Sequence, residues 1–170
     1  MTGDQRVVLA GVVAGVSTMV ALVAGLYHVL PPPTGVESVA GRLAYALRLD
    51  VFAALPLFFM LASVGNARFK SEAINPLLPT ENPKVVVNGR VASNTLEQTF
   101  VFVVACAALG TLLQPHQLRL LLACTVVFIL ARVAFWVGYR IHPLYRAAGM
   151  AATSYLNIGL LAFSVYLMLR

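Results

Sequence analysis

The strongest constraint in this chain is a run from Val7 to Leu30 that contains no Asp, Glu, Lys or Arg and is closed by Pro31, Pro32 and Pro33. Three successive prolines cannot continue a helix, and a run of this length exceeds the roughly 20 apolar residues that a membrane-crossing helix needs. Arg6 ahead of the run imitates the start of a secretory signal. A signal's apolar region is only about 7 to 15 residues and ends at a small-residue cleavage site, so the segment is expected to be a retained span. His28, near its end, is expected at the membrane interface rather than as a ligand.

The pattern recurs four times. Further spans are expected at about Ala44 to Val64, with Pro56 inside it, and at about Arg90 to Leu113, Leu118 to Ile141 and Leu144 to Leu169. Proline is tolerated within membrane helices because neighbours satisfy the freed carbonyl. The chain is 60% hydrophobic and 11% charged, against about a quarter charged in soluble domains. That excludes a soluble catalytic domain and predicts an all-α integral membrane helix bundle. The formal +6 charge is spread thinly along the chain, which suits membrane orientation and not a nucleic-acid footprint; no nucleic acid is expected as a partner.

Between the second and third spans, Asn66 to Gly89 is polar and broken by Pro76, Pro79 and Pro83, and is expected to be the longest exposed loop. The Gln114 to Gln117 connection is too short for anything but an antiparallel pair. Five spans place the termini on opposite sides. With the N-terminus cytosolic, that face receives Arg6, Arg68, Lys70, Lys84, Arg90, Arg140 and Arg146, against Arg42, Arg119 and Arg170 on the other. Basic residues favour the cytosolic side, so a cytosolic N-terminus is expected. No internal repeat is visible, which disfavours an inverted-repeat transporter.

The few charges inside the spans carry the functional information. Arg90, Asn94 and Glu97 are spaced four and three apart, so they share one helical face. Ionisable residues within a bilayer normally face a protein interior and pair or bind something. This spacing alone serves an internal Arg90–Glu97 pair and a ligand-binding face equally. Arg132, Phe135 and Tyr139 form a second stripe, with Arg146 seven residues further on, across the turn at Pro143. Arg132 could simply pair with Glu97, and Arg146 could snorkel. Together the two stripes could form an anion-binding cleft, because guanidinium groups recognise carboxylates bidentately.

Other chemistries find no support. Cys106 and Cys124 lie in apolar runs without a CxxC spacing, so they are expected to be packing residues, with neither disulfide nor metal site. Trp136 and Tyr145 suit an interfacial aromatic belt. No phosphate-cradling glycine loop, HExxH or GxSxG motif is present.

Two blocks carry a family resemblance: RVASNTLEQTFVF from Arg90 and ARVAFWVGYRIHPLYRAAG from Ala131. They resemble the Arg-x-x-x-Asn-x-x-Glu helix and the Ala-Arg helix with its motif tyrosine and following arginine in the MAPEG family, the membrane-associated proteins of eicosanoid and glutathione metabolism. With the surrounding helices the resemblance covers roughly residues 44 to 168. It implies a MAPEG-type four-helix core over residues 44–170, with residues 1–43 adding one N-terminal transmembrane helix and a proline-rich loop, as in a five-span branch of the family.

The resemblance further implies a homotrimer that holds glutathione as cosubstrate between subunits near the cytosolic face. Arg90, Asn94, Glu97, Arg132 and Tyr139 would bind it, and Arg146 would stabilise its thiolate. A free thiol with a pKa of about 8.5 is mostly protonated at neutral pH, and a neighbouring guanidinium favours the reactive anion. Two functions follow as expectations. One is a glutathione transferase or peroxidase-like enzyme acting on a lipophilic small molecule that enters from the lipids. The other is a non-catalytic member acting through partner proteins or lipid binding, consistent with Gln98 and Phe135 standing where the leukotriene-synthase pattern has tyrosines. Either the endoplasmic reticulum or a bacterial inner membrane is compatible with the short N-terminus.

Overall fold

The computed structural model describes residues 1–75 and 82–170. Five helices span most of them: α1 (Gly3–Val29), α2 (Val39–Phe69), α3 (Pro83–Leu112), α4 (Arg119–Ile141) and α5 (Ala147–Leu169). Each is long and apolar enough to cross a membrane, α4 and α5 together with the 3₁₀ turns that lead into them, and no strand occurs among the described residues. This is an integral multi-pass membrane protein. Many large apolar side chains lie on its outer surface, among them Val13, Phe58, Phe100 and Val165. In lipid that exposure needs no further burial, because hydrocarbon is as apolar as the side chains themselves.

Local chemistry sets the ends. Thr2 and Gln5 form a reciprocal capping box at the start of α1, and the proline triplet ends it. Ser38 caps α2 by accepting a hydrogen bond from the Gly41 amide at 3.0 Å. Asn82 caps α3 ahead of Pro83, whose missing N–H costs nothing in a first turn. Short 3₁₀ turns at Pro115–Gln117 and Pro143–Arg146 join α3 to α4 and α4 to α5 as antiparallel neighbours.

The helices outrun the apolar runs. α2 begins at Val39 and continues through Arg68 to Phe69, and α3 already includes Lys84, Asn88 and Gly89. The expected Asn66–Gly89 loop is therefore shorter at both ends. Hydropathy marks only the part of a helix that sits in hydrocarbon, whereas helix hydrogen bonding and capping carry the backbone on into the polar zone. The prolines expected to break that loop at 76 and 79 lie outside the described residues.

α2 packs most extensively on α3, α4 on α5, and α1 on α5 and α4. The main core sits between α2, α3 and α4, where Phe102 and Phe128 stack with centroids 4.4 Å apart. Cys106 and Cys124 are buried there as free thiols. A smaller cluster of Met60, Val91, Ala92, Phe135 and Tyr139 lies toward the amino-terminal face of the bundle, where α1, α3 and α5 begin. Small residues permit close helix approach. A Cβ on Gly149 would strike the Phe135 backbone nitrogen, and one on Gly110 would lie 2.8 Å from the Ala46 Cβ.

Candidate functional site

The α4 stripe forms a physical column. The Arg132 guanidinium lies 4.5 Å from the Phe135 ring centroid, Phe135 meets Tyr139 edge-on at 5.9 Å, and the Arg146 guanidinium lies 4.9 Å from the Tyr139 ring. The three-, four- and seven-residue intervals thus become two adjoining aromatic rings bracketed by cations, running from the buried bundle interior to the amino-terminal surface. Arg146 reaches back over α4 because the Pro143–Arg146 turn is tight. Gly138 makes room for it, since a Cβ there would stand 2.7 Å from the Tyr145 carbonyl oxygen.

The α3 stripe meets this column. Arg90 and Asn94 join Phe135, Tyr139, Arg146 and Met150 around a cleft of about 250 Å³. Arg90 and Arg146 are exposed at its rim, Asn94 is half-buried and Tyr139 is buried. Glu97 does not line this cleft. It lies in an adjoining groove of about 510 Å³ with Arg68 and Ser93, and that groove shares Arg90 and Asn94 with the cleft.

Arg132 stands behind the cleft. It is fully buried, donates from Nη1 to Asn94 Oδ1 at 3.0 Å and from Nη2 to the Gly149 carbonyl at 3.3 Å, and bonds Thr153 Oγ1. One side chain thereby ties α3, α4 and α5 together and fixes Asn94. Its Nε is buried without a partner. No salt bridge forms among the described residues, so neither Arg90 nor Arg132 is paired with Glu97. Three guanidinium groups therefore lie at or directly behind one cleft without a carboxylate partner, and such an arrangement favours an anion.

The sequence reading missed the contribution of α5. Gly149, Thr153 and Asn157 recur every four residues on its buried face. Asn157 Nδ2 donates to Gln98 Oε1 at 2.9 Å and to the Gln98 carbonyl at 3.0 Å, so Gln98 is engaged with α5. The signal was present as small and polar residues at helical spacing within an otherwise apolar run. Arg68 was also missed, because it lay in what read as a loop.

The protein has relatives of matching pattern. The model of the MAPEG family matches residues 49–166. Transmembrane protein 79 of Mus musculus is 25% identical over 161 residues, covering 94% of this chain and 41% of the relative. Its Bos taurus counterpart is 24% identical over the same length, covering 94% and 40%. The chain thus spans about two fifths of the length of these relatives. No solved structure matches it. The matched segment begins within α2 and contains all of α3 and α4, both polar stripes and the cleft they form: the chain belongs to the MAPEG family.

Proposed function

We propose that the cleft binds glutathione and that Arg146 holds its thiol as the thiolate for attack on a lipophilic electrophile. The observation that carries this reading is the convergence of Arg90, Asn94, Tyr139 and Arg146 on one cleft whose cations have no carboxylate partner. Glutathione supplies what the site lacks. Its two carboxylates suit the guanidinium groups of Arg90 and the neighbouring Arg68, its ammonium suits Glu97, and its sulfur would lie toward Arg146 and Tyr139. Arg132 acts by positioning Asn94.

In the reaction the thiol proton leaves to water. The sulfur forms a bond to the electrophilic carbon, and the leaving group departs with its electron pair. An opposite charge within about 4–6 Å lowers an acid's pKa by 1–3 units, which raises the thiolate fraction at neutral pH about tenfold or more.

Self-association belongs to the same proposal. Glu97 is halfway along α3 and exposed, beside exposed Leu96 and Phe100. Glu97 sits about two turns inside the apolar run from Arg90 to Leu113, and a charge within hydrocarbon is costly, about 2.5 kcal/mol or more at the centre, unless protein or water covers it. A second copy of the chain would cover it and enclose the groove, in keeping with a homotrimer. In this reading the amino-terminal face is cytosolic, which its excess of basic residues supports.

A second reading is binding without turnover. Gln98 is engaged by Asn157, and Phe135 carries no hydroxyl, so ligand-facing hydroxyls are few. Purified protein in detergent, supplied with glutathione and chlorodinitrobenzene, separates the two. Conjugation that falls about tenfold or more in Arg146→Ala supports the enzyme. Saturable binding without conjugation supports the second reading, and folded protein that shows no binding and no conjugation refutes both.

A further inference from the structure

The cleft makes no use of α1. This helix is pressed against the start of α5 through Gly11 and Gly15: a Cβ on Gly11 would lie 3.1 Å from the Ala147 Cβ, and one on Gly15 would strike the Ala148 carbonyl oxygen. Beyond Met19 the small residues facing α5 give way to Val20, Val23 and Tyr27, and a groove of about 700 Å³ opens between α1, the first half of α4 and the second half of α5. Val20, Ala24, Leu120, Leu160 and Phe163 contribute to its wall. The stretch of α1 along it, from Val16 to His28, is about 18 Å long at 1.5 Å per residue.

The open end is polar and basic. His28 and Gln117 line it. Arg119 lays its guanidinium 4.4 Å from the ring centroid of Tyr27, another wall residue, and its Nε is buried without a hydrogen bond. Among the described residues no Asp or Glu lines the groove, and no carboxylate pairs with Arg119.

We infer that this groove holds an acyl chain of an anionic phospholipid, with the phosphate at Arg119 and His28. An apolar trough running down a membrane helix, with an unneutralised cation at its mouth, matches a lipid chain and a negative headgroup together. A second copy of the chain is a poorer occupant. The surface that requires a protein partner is the Glu97 face of α3, whereas α1 packs on α4 and α5. The site is separate from the proposed glutathione cleft and does not depend on it.

Native mass spectrometry of the full chain in detergent, with equal amounts of dioleoyl phosphatidylglycerol and dioleoyl phosphatidylcholine, tests this. The expected result is one retained phosphatidylglycerol per chain, preferred about fivefold, the value of one cation near an anionic headgroup. Gly159 lines the groove and has open space where a Cβ would stand, so Gly159→Phe fills the groove without moving the backbone and should abolish most retention of either lipid. Arg119→Gln should keep a lipid but erase the headgroup preference. Equal retention of both lipids by the wild type, or undiminished retention in Gly159→Phe, would overturn the inference. So would a loss of oligomer mass in Gly159→Phe, which would assign the groove to a second copy.

Discussion

Arg132→Met removes the guanidinium that joins three helices while keeping an unbranched side chain in its place. Asn94 Oδ1 then loses its donor, but the Gly149 carbonyl still accepts from Thr153 Oγ1 at 2.9 Å. Two consequential contacts are lost, to Asn94 and to Thr153. Side-chain hydrogen bonds within membranes average about 0.6 kcal/mol and reach about 1.7, so the variant should lose about 1–3 kcal/mol. Thr153→Val attacks the same clasp from α5 and leaves Nη2 with only the 3.3 Å contact to Gly149, at a similar cost. In the Arg132→Met background the Thr153 hydroxyl no longer serves a cation, so Thr153→Val should then cost only a few tenths of a kcal/mol. Trp136, the single tryptophan, packs against the Phe135–Tyr139 cluster. Its fluorescence during titration of mixed micelles with dodecyl sulfate reports the loss of packing. Costs that add within about 0.5 kcal/mol in the double variant would refute the clasp.

Three further outcomes follow. Gly11→Cys with Ala147→Cys should form a disulfide under mild oxidation, since the Cβ positions lie 3.1 Å apart, near the 3.5–4.5 Å that the bond requires; a failure to cross-link in bilayers would mean that α1 is not docked on α5. Gly149→Ala should cost about 1–3 kcal/mol by forcing α5 from α4, and an unchanged unfolding midpoint would contradict the close approach. Glu97→Gln should weaken glutathione binding about tenfold, the scale of a charged hydrogen bond, or shift the protein toward smaller oligomers by light scattering; a variant unchanged in both would count against the polar groove.

The five spans were legible because a bilayer demands uninterrupted apolar runs, and the prolines at residues 31–33, 115 and 143 fix where the chain turns. The cleft was legible for a different reason. Charges are so rare within these helices that the spacing of Arg90 and Asn94, and of Arg132, Phe135 and Tyr139, stood out against the apolar background. What spacing could not decide was which polar residue touches which. Arg132 shares its stripe with Tyr139 yet stands behind the cleft, bonded to Asn94, Gly149 and Thr153, and Glu97 shares its stripe with Arg90 yet lies in the next groove. Those choices depend on how closely α5 approaches α4, which Gly149 sets and no periodicity in α3 or α4 encodes. The membrane boundary caused the other miss: Arg68 and Lys84 look like loop residues, although both lie on helices that continue past the apolar zone.

The most direct measurement is calorimetric titration of glutathione into the folded, detergent-solubilised protein, beside Arg90→Ala, a rim variant outside the Arg132 clasp. Saturable binding by the wild type, weakened about tenfold or more in Arg90→Ala as expected for loss of a charged hydrogen bond to a carboxylate, is the predicted result. Absence of binding by folded wild type, or equal binding by the variant, would contradict the assignment of this cleft to glutathione.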